Sequence, residues 1–288
     1  MTIIDVKNAD FKYKDELILE NITIYEDSPV ITGLWGRNGA GKTTLMKLLS
    51  GQEREASGDV SVLGTHPFNN NAVSTNISYL REDHYFGKSW NVNDALYFAS
   101  LFNENWNQEE ADELIERFKL PRKKKITSFS KGMHTMVQLV IGLASHSKMT
   151  IFDEPTNGLD AHSRKLFFQA LKNSYDNDPR YILISTHHIN EIEPHCENLM
   201  IISDQSIQFH KPIEYFQTQG VSMMGKIEDI KKCVNPEKFL ETTHMMGQSK
   251  IMVDVPLTNE LQVACEQNNI QLEKSSIQDF LVNITSKE

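Results

Sequence analysis

One octet constrains this chain more than any other part of it: Gly36-Arg37-Asn38-Gly39-Ala40-Gly41-Lys42-Thr43. It fills the pattern G-x-x-x-x-G-K-[ST] in full. Residues 30–34 before it, Val-Ile-Thr-Gly-Leu, read as a strand. After it a helix opens at Lys42-Thr43-Thr44, with Leu45, Met46, Leu48 and Leu49 as its apolar side and Gly51 as its stop. A strand that enters a glycine loop and leaves as a helix is the unit from which α/β sheets are built. The glycines let backbone N–H groups turn inward, and the helix N-terminus adds partial positive charge. Such a loop suits a polyphosphate, with Lys42 reaching the β- and γ-phosphates and Thr43 offering a hydroxyl to Mg²⁺.

A second element fits the first. Met149-Thr150-Ile151-Phe152 is an apolar run closed by Asp153 and Glu154. A buried strand of this kind delivers Asp153 to the edge of a sheet, where it can hold a metal shell. Glu154 is then placed to orient or deprotonate an attacking water. Residues 181–185 form another buried-strand run.

Other stretches are less specific. Residues 22–25 read as a strand ahead of an Asp27-Ser28-Pro29 turn, and residues 59–63 alternate like a short strand. Between about residues 83 and 130 the character turns helical. Asn91 is a helix cap with Asp94 in the first turn, and Leu96, Phe98 and Leu101 are apolar positions. Asn107 precedes a second helix carrying Ala111, Leu114, Ile115 and Phe118, which stops at Leu120-Pro121. Lys123-Lys124-Lys125 reads as a solvated basic run. After residue 217 the pattern is that of a small α+β unit, with a strand over 251–255 and helices over 260–268 and 277–284.

Two further segments carry a family resemblance. Phe129-Ser130-Lys131-Gly132-Met133 resembles a variant of the LSGGQ signature, with Ser130 and Gly132 kept and Lys131 at the first glycine position. It is followed by Asp153-Glu154-Pro155-Thr156-Asn157-Gly158-Leu159-Asp160, whose end resembles a D-loop, and by Ser185-Thr186-His187, which resembles a switch histidine. In order and spacing these motifs are similar to the nucleotide-binding subunit of an ABC transporter, over roughly residues 1–215. The fold this implies is an α/β P-loop NTPase cassette: a RecA-like core with an antiparallel β subdomain and a helical subdomain, plus a small α+β C-terminal extension. The expected division is 1–216 for the cassette, with its helical subdomain at about 83–130, and 217–288 for an accessory domain.

The resemblance also implies roles. Glu154, His187 and Lys42 are the expected catalytic groups. Tyr13 lies where the family places an aromatic ring on adenine. Asn38, Gly39, Ala40, Gly41, Lys42, Thr43 and Thr44 are the expected phosphate cradle, and Ser130, Gly132 and Asp160 the expected contacts to a nucleotide held by a second subunit. Thr43 and Asp153 are the expected Mg²⁺ ligands. Glu82 joins them at the position where the family commonly has Gln, and a carboxylate there adds negative charge beside a polyphosphate. ATP and Mg²⁺ are the implied cofactors. The implied partners are an integral membrane permease and a second ATPase subunit, either identical or a paralogous cassette. A finer resemblance, through Trp106-Asn107-Gln108, Glu116-Arg117-Phe118-Lys119-Leu120 and the variant signature, is to Gram-positive cassettes that export antimicrobial or amphipathic peptides, including phenol-soluble modulins.

Composition narrows the alternatives. Lys plus Arg number 29 and Asp plus Glu 39 in 288 residues, a net charge of −10. That balance argues against charge-driven binding to nucleic acid. No run approaches the roughly 18 apolar residues of a spanning helix, so the permease must be a separate protein and the expected location is the cytoplasmic face of the membrane. The N-terminus carries no signal-peptide pattern. Cys196, Cys233 and Cys265 are far apart and odd in number, which fits reduced thiols. Among rival ATPases, chromosome-type cassettes split these motifs around long coiled coils, and translation-type cassettes carry two phosphate loops in one chain; neither pattern is present. An ATP-dependent regulator that does not transport remains the alternative reading.

Overall fold

A computed structural model describes residues 2–81, 85–245 and 247–286. Two compact units emerge: Met1–His187 with Ile192–His210, and His188–Glu191 with Lys211–Glu288.

The first unit holds two sheets. β1 (Ile4–Tyr13) lies between β2 (Glu16–Glu26) and β4 (Ser57–Val62), antiparallel to both. The larger sheet has the order β5-β6-β7-β3-β8-β9, from β3 (Ile31–Trp35), β5 (Ile77–Leu80), β6 (Met149–Phe152), β7 (Tyr181–Thr186), β8 (Asn198–Ser203) and β9 (Ser206–Pro212). Its pairs β5–β6, β6–β7, β7–β3 and β3–β8 are parallel. Every residue of β3, β6 and β7 is buried, which is why these strands read as unbroken apolar runs and not as alternation.

Helices fill the connections. α1 (Lys42–Leu49) follows β3, α2 (Asn71–Ser74) precedes β5, and α3 (Val92–Phe102) and α4 (Gln108–Arg117) follow it. α5 (Lys131–Ala144) leads into β6 and α6 (Ala161–Asn177) into β7; the single turn α7 (Ile189–Ile192) follows β7 in sequence and belongs, up to Glu191, to the second unit. One apolar cluster joins Ile4, Val6 and Ile22 of the small sheet, Leu45 and Met46 of α1, and Ile151, Leu183 and Met200 of the large sheet. α1 is therefore pinned from both sides, which fixes where its N-terminus points.

Asn91 and Asp94 form a reciprocal capping box at the start of α3. The outer part of this helix is not core. Tyr97, Leu101 and Phe102 are exposed, and Phe98 stacks on Trp90 at 4.4 Å with the rings 10° apart.

The second unit contains α8 (Ile213–Thr218), β10 (Gln219–Gly225), α9 (Ile227–Cys233), β11 (Phe239–Met245), β12 (Gln248–Pro256), α10 (Asn259–Gln267), β13 (Gln271–Lys274) and α11 (Ile277–Ile284). The strand order β11-β12-β10-β13 with antiparallel pairs is the ferredoxin-like split βαβ arrangement. Val221, Met223, Ile251 and Val253 pack there with Ile230 of α9 and Cys265 of α10. Burial pushes the Cys265 thiol up to about 11, which suits an inert core thiol.

Candidate functional site

The site grows from the loop between β3 and α1. Gly41 sits at φ +102°, and a Cβ there would lie 2.7 Å from Leu19 Cδ2, so only glycine fits. The next residue, Lys42, is 7% exposed. Its Nζ donates to Gly36 O at 2.7 Å and Arg37 O at 3.4 Å, and lies 3.3 Å from Glu154 Oε1. A buried ammonium needs such partners, and here they are loop carbonyls and one carboxylate.

The acidic pair lies at the C-terminal end of β6. Thr43 Oγ1 donates to Asp153 Oδ2 at 2.8 Å, and Tyr79 donates to the same oxygen at 3.4 Å. Ser185 Oγ donates to the other oxygen, Oδ1, at 2.6 Å. Glu154 adopts φ +51°, a left-handed conformation that costs a non-glycine residue about 1–2 kcal/mol. Strain of that kind is found where surroundings over-determine a residue. Here the Glu154 N–H donates to Ser185 Oγ at 2.9 Å, Oε1 faces Lys42, and Oε2 lies 2.9 Å from His187 Nδ1.

Tyr13 stands at the rim, 39% exposed. Lys47 Nζ lies 5.9 Å from its ring centroid, and Phe11 meets it edge-on at 4.8 Å. A cleft of about 430 Å³ is lined by Tyr13, Asn38, Gly39, Gly41, Lys42, Thr43, Thr44, Asp153, Glu154 and His187 among others. Ala40 belongs to the loop beneath, its N–H donating to Arg37 O at 3.1 Å.

Besides Ala40, three expected residues among those described lie outside that lining. Ser130 caps α5 by accepting from Met133 N at 3.3 Å, and Asp160 caps α6 by accepting from Ser163 N at 2.7 Å. Hydrogen bonds from Ser163 hold the Asp160 carboxyl below the usual carboxylate range. Gly132 abuts the turn before α6: a Cβ on it would meet Gly158 O at 2.9 Å. Glu82 falls outside the described residues.

The ABC transporter family model matches residues 19–157, the span from β2 through the acidic pair. The putative ABC transporter ATP-binding protein AlbC of Bacillus subtilis (strain 168) is 29% identical over 239 residues, covering 76% of this chain and 99% of AlbC. The uncharacterised ABC transporter ATP-binding protein YhaQ of the same organism is 31% identical over 205 residues, 69% of this chain and 63% of YhaQ. A solved ATP-binding subunit of an ABC transporter superposes with a TM-score of 0.68 at 23% identity, covering 75% of this chain and 92% of the other. Residues 19–157 carry the ABC transporter pattern, and the relatives and the fold are those of ABC transporter ATP-binding subunits.

The ABC subunit is an ATP-binding ATPase coupled to transport, on the α/β cassette fold of the solved structure. Its cleft also contains residues not among the expected contacts: Ile18, Arg37 of the phosphate loop and Asn157 of the D-loop segment line it, and Ser185 bridges Asp153 and Glu154. Ser185 carried a readable signal, a hydroxyl near the end of a wholly buried strand. Such a buried hydroxyl must find partners.

Proposed function

We propose that this ABC subunit hydrolyses ATP in the cleft, dimerises head to tail around two nucleotides, and drives a separate membrane permease that exports peptide or amphipathic substrates. The observation that carries the ATPase reading is the convergence of Lys42, Thr43, Asp153, Glu154 and His187 on one cleft. Tyr13 stacks on adenine, a contact worth about 1–3 kcal/mol. N–H groups from Asn38 to Thr44 hold the polyphosphate, and Lys42 leaves its loop carbonyls for the β- and γ-phosphates.

The oxygen set fits Mg²⁺. Thr43 Oγ1 and Asp153 Oδ2 already meet at 2.8 Å, and Mg²⁺ favours one or two protein oxygens completed by phosphate and water. When bound, the ion neutralises charge on the phosphates. Glu154 takes a proton from the attacking water, which breaks the β–γ linkage to give ADP and phosphate. His187 holds the Glu154 carboxylate from one side and reaches the γ-phosphate. Ser130, Gly132 and Asp160 lie apart from this cleft, which supports a role towards the nucleotide of a second subunit. Loss of the γ-phosphate then loosens the dimer, a ligand-biased two-state switch.

Permease docking has support in the exposed aromatic face of α3, where Tyr97 is 61% and Phe102 71% exposed. Contiguous exposed apolar surface marks interaction sites. No helix among the described residues is long and apolar enough to cross a membrane. Amphipathic cargo has support in the mouse retinal-specific phospholipid-transporting ATPase ABCA4, 30% identical over 195 residues, 64% of this chain and 8% of ABCA4.

Glu154→Gln tests the core of the reading. Turnover falls about 10²–10⁴-fold while ATP binding persists, and an ATP-trapped dimer elutes from a sizing column. Hydrolysis at the wild-type rate overturns the role of Glu154. Co-purification of an integral membrane protein tests the permease.

A further inference from the structure

We propose that Ser185 is the positioning residue that sets both acidic side chains of the ATPase cleft, fixing which oxygen of Asp153 faces Mg²⁺; this rests on the roles proposed above for Asp153 and Glu154. β6 and β7 pair in parallel with Phe152 opposite Ile184, so the next residue of each strand, Asp153 and Ser185, also stand side by side. Ser185 is fully buried. A hydroxyl has one proton and two lone pairs. The proton goes to Asp153 Oδ1 at 2.6 Å, and a lone pair receives the Glu154 N–H at 2.9 Å.

A serine that only satisfied itself inside a strand would bond to backbone groups of its own strand. Both bonds here go across to the two consecutive acids at the end of β6. With Oδ1 held by Ser185, Oδ2 is the oxygen left toward Thr43, at 2.8 Å. The second bond secures the Glu154 backbone at φ +51°, the conformation from which its carboxylate meets Lys42 and His187. Remove the hydroxyl and Asp153 loses a charge-assisted donor while a buried N–H loses its acceptor. Both acids then gain freedom at once.

The test is binding of a fluorescent ATP analogue, in EDTA and across a Mg²⁺ titration, for the intact chain carrying Ser185→Ala or Ser185→Thr. Removing a group that orients a metal ligand typically weakens metal affinity about 10–100-fold. The expected result for Ser185→Ala is a rise of that size in the Mg²⁺ concentration giving half-maximal enhancement, with binding in EDTA unchanged. Ser185→Thr, which keeps the hydroxyl, restores the wild-type curve. An unchanged Mg²⁺ curve in folded Ser185→Ala overturns the proposal, and so does an equal loss in EDTA and in Mg²⁺. Should Ser185→Ala not fold, Ser185→Cys, of similar size with a poor donor, is read by the same criteria. Asp153→Asn and Thr43→Val separate the two levels of the argument. If they leave the Mg²⁺ curve unchanged, the reading of the metal position fails; if they abolish it while Ser185→Ala does not, only the role of Ser185 fails.

Discussion

The two ends of the parallel sheet are built from similar residue types and behave differently. At the C-terminal ends of β3, β6 and β7 lies the 430 Å³ cleft with Lys42, Asp153, Glu154 and His187. At their N-terminal ends lies a larger pocket, about 600 Å³, lined by Asn105, His146, Lys148, Asp178 and Arg180 among others. Volume alone would favour the second. The partners of the charges distinguish them. Around the cleft, Lys42 is held by loop carbonyls and one carboxylate, contacts that phosphate oxygens can replace. At the other end Arg180, 4% exposed, gives its guanidinium to Leu143 O, Ser174 O, Ser174 Oγ and Asp178 O. The His146 ring is bonded to Glu110 and Asp178 through its two nitrogens. Exchangeable partners mark a site; side chains held mainly by fixed backbone and by one another mark scaffolding, here with the buried Arg180 Nε as an atom that finds no acceptor among the described residues.

That contrast makes its largest claim at Lys42. Lys42→Ala should lower nucleotide affinity or turnover by about 10²–10³-fold, the usual loss for a preorganised charge-stabilising group. The melting temperature should stay near wild type, because the vacated carbonyls lie in a loop at the cleft and can turn to water. Isothermal titration with an ATP analogue, run beside a thermal melt, checks both halves. A variant that melts early but binds normally would make Lys42 scaffolding and erase the distinction.

The cleft end was the legible end. The octet at residues 36–43 and the acids closing an apolar run point to the cleft because loop chemistry is local: glycines, a lysine and a hydroxyl must be neighbours in the chain. Tyr13 and His187 needed the motif order, since an isolated aromatic or histidine has many uses. The opposite end was silent. Glu110, His146 and the pair Asp178 and Arg180 come from three separate segments, and nothing in their spacing announces that α4, α5 and α6 bring them together. Ser185 lies between these cases, visible as a polar residue in an apolar strand but without a partner that sequence could name. The outer part of α3 misleads in the other direction. Phe98 and Leu101 suit a core helix by type, yet Leu101, Tyr97 and Phe102 face outward, since apolar character does not say whether the covering surface lies in the same chain.

Arg180 supplies the next largest effect, on the opposite observable. Arg180→Ala removes a buried stem and takes the guanidinium from three backbone carbonyls, of which Leu143 O and Ser174 O keep a backbone donor, a loss of about 3 kcal/mol. For a unit of this size that corresponds to roughly 6–12 °C in melting temperature. Affinity of the folded protein for the ATP analogue should not change. A large affinity loss with an unchanged melt would show that the two ends are not separate in function.

The smallest effect is a pH dependence at His146. Its pKa is raised, first by the hydrogen bond to Glu110 and then, against an opposing cost of burial, by the bond to Asp178. A histidine whose folded pKa exceeds its unfolded value of about 6.5 stabilises the fold fully below that unfolded value. The contribution is lost as pH rises through the folded pKa. His146 also sits at φ +44°, so the informative substitution is His146→Asn, because asparagine tolerates the left-handed region. The stability gap between wild type and His146→Asn should be about 1–2 kcal/mol at the acid end, less than two buried charged bonds would give because Asp178 is half exposed. It should narrow as pH rises above the unfolded value of about 6.5 and through the raised folded value, in paired thermal melts. ATP hydrolysis should show no step in that range attributable to this substitution. A gap that stays constant with pH would mean that the ring bridges Glu110 and Asp178 without its charge, and the clamp at this end would then rest on shape and not on the imidazolium.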